Sequence, residues 1–187
     1  MAHWDERYRS GEHGKAEPHP LLLQFASNLL PGRALDVASG PGRHAIWLAE
    51  RGWHVAAVDY SPAAIELLHE RSVRKGVQID ACVADLESDA FVIGKASYDL
   101  IVVCGYLQRN LFTPIKDGTR IGGIVLAAIA MVDDDPKIKP MNPAYLLQPG
   151  ELRANFEGWE LLHDFEGKPA DDPKRRATAE IVARRLL

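Results

Sequence analysis

The chain has 187 residues, the size of one domain, and at that length folding hides roughly 70% of the unfolded chain's surface. Apolar residues make up 47% and charged residues 26%, which excludes disordered, collagen-like and disulfide-miniprotein classes. Lys and Arg total 22 against 26 Asp and Glu, so the net charge of -4 offers no basic excess for nucleic acid. The two cysteines, Cys82 and Cys104, each lie in an apolar stretch and read as buried thiols in a reducing compartment. No apolar segment follows the charges of the opening Met-Ala-His-Trp-Asp-Glu-Arg, so no secretory signal is expected. The longest apolar run, Ile121 to Val132, is shorter than the ~20 residues a membrane helix needs. These features predict a soluble, cytoplasmic protein without membrane or nucleic-acid partners, folded as one domain over residues 1–187.

From Ala34 to Val58 the chain passes through an apolar run, a Gly-rich turn, a helical stretch with Ala45, Ile46, Leu48 and Ala49 on one side, and a second apolar run. That order predicts a βαβ unit. Ser61-Pro62 opens a helix that should run to Lys75-Gly76, Ser as cap and Pro in the first turn. A third strand is expected from Gln78 to Val83, and a fourth from Tyr98 to Val103, whose unbroken branched-apolar pattern suits a strand covered on both faces. Leu107 to Arg120 reads as a helix ended by Gly122-Gly123, and Ile124 to Met131 as a fifth strand. Asp133 to Gly150 carries too many prolines for a helix and reads as a loop or lid, and Glu151 to Phe156 as a short helix. Gly158 to Glu166 and Ala177 to Leu186 then read as an antiparallel pair at the sheet edge. The sum is an α/β, doubly wound, Rossmann-like sheet of about seven mostly parallel strands, with a C-terminal antiparallel hairpin.

In such sheets ligands bind at the carboxyl ends of the strands. Three features fall there: Asp36-Val37-Ala38-Ser39-Gly40-Pro41-Gly42, then Asp59, then Asp85. Glycines let the backbone approach a ligand, and helix N-termini offer free N–H donors. A carboxylate after the second strand can accept from two ribose hydroxyls, and one after the third from the amino group of a base. Two cofactors compete at this point, because Gly40-Pro41-Gly42-Arg43-His44-Ala45 also satisfies the dinucleotide pattern of NAD(P) enzymes. The acid Asp36 ahead of the first glycine suits a ligand with an amino-acid tail and a sulfonium better than a diphosphate.

These residues resemble the class I S-adenosylmethionine-dependent methyltransferases, over nearly the whole chain. The family's D-x-G-x-G-x-G turn stands here as Asp36 to Gly42, with Ala38 in place of the first glycine. The resemblance maps the family's ribose acid onto Asp59, followed by Tyr60 and Ser61, and its adenine-contacting acid onto Asp85, followed by Leu86. Trp4-Asp5-Glu6-Arg7-Tyr8 looks like the bacterial tellurite-resistance and thiopurine branch, in which an N-terminal helix, expected within residues 1–30, covers the cofactor. The implied cofactor set is Tyr8, Asp36, Ala38, Ser39, Gly40, Gly42, Asp59, Tyr60, Ser61, Asp85, Leu86 and Cys104. Trp4, Tyr106, Asn142 and Tyr145 lie in segments that could roof the strand ends and form an acceptor set, the last two within the 133–150 lid.

No catalytic residue is readable, since methyl transfer from a sulfonium needs alignment and exclusion of water more than a base. The histidines form no H-x-x-x-H pair, so no metal site is expected. The predicted function is methyl transfer from S-adenosylmethionine to a small molecule, tilted by the branch resemblance toward soft nucleophiles such as thiols and selenium or tellurium species. A non-catalytic S-adenosylmethionine-sensing domain and an NAD(P)-binding oxidoreductase are the alternatives.

Overall fold

The computed structural model describes residues 2–11, 17–88, 91–168 and 174–186. His13 falls outside this set, as does the side chain of His3. Two N-terminal helices, α1 (Ala2–Arg9) and α2 (Pro20–Ala26), precede the sheet. Then follow β1 (Arg33–Val37), α3 (Arg43–Ala49), β2 (His54–Asp59), α4 (Pro62–Lys75), β3 (Asp80–Val83) and β4 (Tyr98–Cys104). The chain continues through α5 (Phe112–Gly118), β5 (Thr119–Ala130), α6 (Glu151–Asn155), β6 (Glu160–Gly167) and β7 (Thr178–Arg184).

The seven strands form one sheet in the order β3-β2-β1-β4-β5-β7-β6. The first five run parallel, and β7 inserts antiparallel between β5 and β6. The branched-apolar run of β4 has a direct physical reading. Leu100 and Val102 join the core under α2, α3 and α4, whereas Ile101 and Val103 join the core under α5 and α6. Successive residues of a strand point to opposite faces, so a strand with helices on both sides is apolar throughout. The strand order reverses between β1 and β4, which opens a crevice at their carboxyl ends.

Three sequence expectations are corrected. The helix expected from Leu107 to Arg120 is a 3-10 turn over Arg109–Leu111 followed by α5, which stops at Gly118. Gln108 is extended at φ -142 and ψ 110, and its side-chain amide donates to the Leu86 carbonyl at 2.6 Å, which delays the helix. The Gly122-Gly123 pair ends no helix. It sits inside β5, where pairing with β4 jumps from Tyr98↔Thr119 to Leu100↔Ile124, and Gly122 at φ 77 supplies the left-handed residue of a bulge. Cys82 is exposed rather than buried, because β3 is an edge strand, while Cys104 is half-buried. No helix among the described residues is long and apolar enough to cross a membrane.

Candidate functional site

A cavity of about 620 Å³ opens at the carboxyl ends of β1, β2, β3 and β4, within the range of small-molecule sites. Its floor begins with the turn after β1. Ser39 N–H donates to the Val58 carbonyl at 3.0 Å, and Gly40 N–H donates to the Asp59 carboxylate at 2.7 Å. Asp59 also accepts from Ser61 N–H at 2.9 Å, so one carboxylate at the end of β2 joins the Gly turn to the start of α4. Burial pushes the Asp59 carboxyl up, and these backbone N–H groups pull against that shift. A side chain at Gly40 would meet the Tyr8 hydroxyl at 2.9 Å, so glycine there leaves room for the residue that closes over the turn. Ala38 takes a left-handed conformation, φ 53, at the place where the turn asks for glycine.

The roof comes from three segments. Helix α1 is fastened to α4 through Asp5, which accepts from the Ser61 hydroxyl at 2.8 Å and from Ala63 N–H at 2.9 Å. These bonds and Arg9 hold the Asp5 carboxyl down at about 2. The docked helix places Trp4 and Tyr8 on the cavity, with their rings 6.0 Å apart. Burial, and then the Asp59 charge, push the Tyr8 phenol up to about 12. Tyr106, after β4, donates to Gln108 at 2.6 Å; burial and then Glu87 and Asp85 raise its phenol to about 12. The Pro-rich segment is anchored by buried Leu147, whose N–H donates to the Ala130 carbonyl at 3.0 Å, and contributes Met141 and Tyr145.

The cavity gathers Tyr8, Ala38, Ser39, Gly40, Asp59, Tyr60, Asp85, Leu86 and Cys104 from the expected cofactor set, and Trp4, Tyr106 and Tyr145 from the expected acceptor set. Four expected residues do not line it. Asp36 lies beneath the floor, 1% exposed, where it accepts from Ala45 N–H at 3.1 Å and faces His44. Gly42 packs on Leu68: a side chain there would come within 2.6 Å of its Cγ. Ser61 is fully buried as the cap of α4. Asn142 turns its side chain onto Ala144 N–H at 3.0 Å, capping a 3-10 turn.

Sequence reasoning missed His44, Arg43 and Arg71, which also line the cavity. Arg43 and Arg71 each reach a backbone carbonyl, Glu17 at 3.4 Å and Pro41 at 3.3 Å. His44 is 3% exposed with Nδ1 3.6 Å from Asp36, and its Nε2 is buried without a hydrogen-bond partner among the described residues. Burial opposes a charge on this imidazole, but the neighbouring Cys104 and Asp36 more than offset it and carry its pKa up to about 10. The cavity is thus divided. Asp59, Asp85 and Glu87 stand on the β2–β3 side, and His44, Arg43 and Arg71 on the α3–α4 side.

Residues 34–117 match a methyltransferase-domain family. The chain is 29% identical to hemagglutinin 1 of Eikenella corrodens over 83% of its own length and 53% of that protein. It is 26% identical to a Haemophilus influenzae protein named as a probable S-adenosyl-L-methionine-dependent methyltransferase, TehB, over 84% of its length and 56% of that protein. The chain therefore spans about half the length of the curated relatives it matches. The crystal structure of TehB from Haemophilus influenzae superposes with a TM-score of 0.78 at 23% identity, covering 97% of this chain and 67% of that one. The matched segment holds the Gly turn and both strand-end acids, the fold continues past it into the antiparallel C-terminal strands, and the chain is similar in sequence and fold to S-adenosylmethionine-dependent methyltransferases of the TehB type.

Proposed function

We propose that the chain transfers a methyl group from S-adenosylmethionine to a small-molecule acceptor whose reacting atom is a soft nucleophile. The observation that carries this reading is the acid-and-glycine wall of the cavity. Asp59 and Asp85 stand at consecutive strand ends beside a turn whose left-handed Gly40 lies directly under the Tyr8 hydroxyl. This wall fits the group: two carboxylates for hydroxyl and amino donors, a glycine turn for the amino-acid portion, and buried Leu86 as an apolar contact for a base. Asp59 would hold the ribose and Asp85 the adenine, with Tyr60 beside them and Tyr8 closing over Gly40. When bound, the group supplies an electrophilic methyl on a positively charged sulfur.

The chain's own contribution is enclosure and alignment. Helix α1 and the segment carrying Met141 and Tyr145 leave a chamber rather than an open face, which supports a small acceptor over a macromolecular one. Water exclusion and in-line placement supply the rate, with binding geometry in place of a strong base. The apolar side chains Leu107, Ile129 and Met141 favour a weakly hydrated nucleophile. Residues 1–30 would act as the cover of this single domain and residues 133–150 as its lid.

Isothermal titration with S-adenosylhomocysteine, run beside NADH, tests the reading. Micromolar binding of the former alone is expected. Absence of binding, or preference for NADH, would overturn it.

A further inference from the structure

We propose that Arg109 is a positioning residue of the acceptor side: it holds Tyr145 at the mouth of the cavity and so sets the size of the molecule that can enter. The inference rests on the methyltransferase reading, which gives the space beside Tyr106 and Tyr145 to the acceptor. Arg109 opens the 3-10 turn after β4, and its guanidinium makes four hydrogen bonds to a distant part of the chain. Nε and Nη2 donate to the two carboxylate oxygens of Glu151 at 2.6 and 3.0 Å. Nη1 donates to the Ala144 carbonyl at 3.0 Å and Nη2 to the Leu146 carbonyl at 3.0 Å. Those two carbonyls flank Tyr145, which lines the cavity and is half exposed.

The chemistry of the clamp explains why it is an arginine. Glu151, the first residue of α6, also accepts from Gln148 N–H at 2.9 Å, so its carboxylate fixes the guanidinium from one side while the guanidinium grips the lid on the other. A planar guanidinium offers paired N–H bonds to a carboxylate and further donors to two carbonyls at once, which an ammonium point charge does not. The preceding residue does the matching work on the opposite wall. Gln108 accepts from the Tyr106 hydroxyl at 2.6 Å and donates to the Leu86 carbonyl at 2.6 Å. One short loop thus places both tyrosines of the mouth, Tyr106 through Gln108 and Tyr145 through Arg109. The Arg109 side chain is itself 47% exposed, where an ion pair adds little to global stability. Its directed bonds therefore act on where the segment sits rather than on whether the domain folds.

The test reads the opening of the mouth from inside. Cys104 lines the same cavity and is half-buried, while Cys82, the other cysteine, is exposed on the edge strand. In a Cys82→Ser background, Cys104 is labelled either with N-ethylmaleimide or with the bulky fluorescein maleimide. The two share one reactive group, so the ratio of their rates cancels the reactivity of the thiol and reports size exclusion. Arg109→Ala should raise the bulky-to-small ratio about tenfold, the effect of losing one hydrogen bond to a charged group. Arg109→Lys should fall between the two, and Tyr145→Ala should match Arg109→Ala. General loosening of the fold would raise both rates together and leave the ratio where it was. An equal ratio in the Cys82→Ser protein and its Arg109→Ala derivative overturns the proposal, as does a Cys104 that takes neither label in both. A ratio raised by Arg109→Ala but unmoved by Tyr145→Ala overturns it as well. S-adenosylhomocysteine should slow N-ethylmaleimide in every variant; absence of slowing counts against the methyltransferase reading, while the size effect of Arg109 is still read separately.

Discussion

On the β2–β3 side of the cavity the carboxylates are already occupied by the chain: Asp59 accepts from Gly40 and Ser61, and Asp85 accepts from Glu87 N–H at 2.9 Å. On the α3–α4 side, His44 keeps a buried nitrogen without a hydrogen-bond partner among the described residues. The first side is a preformed frame in which each carboxylate still has spare lone pairs for a ligand. The difference teaches that one side of the cavity is held rigid by the chain's own backbone donors, while the other keeps a buried nitrogen for which the described residues supply no partner.

Asp59→Asn attacks the frame directly and carries the largest expected effect. The amide turns an NH2 group toward one of two N–H donors, so the tie between the Gly turn and α4 is lost along with the ribose contacts proposed for this carboxylate. Each hydrogen bond to a charged group is worth about 1.5–3 kcal/mol, so S-adenosylhomocysteine affinity should fall about 100-fold or more. His44→Gln should leave that affinity nearly intact. Titration of both variants sharpens the contrast between the two sides, and equal losses would erase it.

The roof over both sides hangs on one side chain. Asp5 is held at about 2 against an ordinary value of 3.8, so its contribution is fully present above pH 4 and lost as pH falls through about 2. Helix α1 should therefore undock in that window, seen as faster hydrogen exchange of the α1 amides, while the sheet stays protected. In Asp5→Ala the α1 amides should exchange fast at every pH, and S-adenosylhomocysteine affinity should drop about tenfold, the worth of one charge-assisted hydrogen bond or slightly less. An unchanged pH response in Asp5→Ala would show that another contact holds the roof.

How much of this was legible in the sequence depends on whether the signal was local. The parallel strands and their order of appearance were, because β1, β2 and β4 are mostly apolar runs, Asp59 closes β2 and Asp85 lies two residues past β3. The Gly122-Gly123 bulge was not, since a glycine pair marks a helix end and a kinked strand equally well. Asp36 was read as facing the ligand, yet strand alternation was available: Ala34 joins the core beneath α3, so Asp36, two residues on, points the same way. Following that alternation would have placed a carboxylate under α3 and drawn attention to His44 in its first turn. Arg71 had no comparable signal, because its approach to Pro41 depends on how α4 packs beside the turn.

Ala38 stands in the turn between the two sides and carries the smallest expected effect. Its φ of 53 places Cβ in the left-handed region, which costs an L-residue about 1–2 kcal/mol. Ala38→Gly removes that strain but loosens the unfolded chain by about 0.4–1 kcal/mol, leaving a net gain of about 0.5 kcal/mol. For a domain of this size that is a rise of about 1–2 °C in Tm. Ala38→Val, with a branched side chain in the same conformation, should move Tm down by several degrees. Because Gly40 is fixed by Asp59 and Ser39 by the Val58 carbonyl, the turn should keep its shape in Ala38→Gly, and S-adenosylhomocysteine affinity should change less than about threefold. A gain in affinity much larger than the gain in stability would mean instead that the Ala38 methyl itself obstructs the ligand, and that the frame on the acid side is less completely preformed than its hydrogen bonds imply.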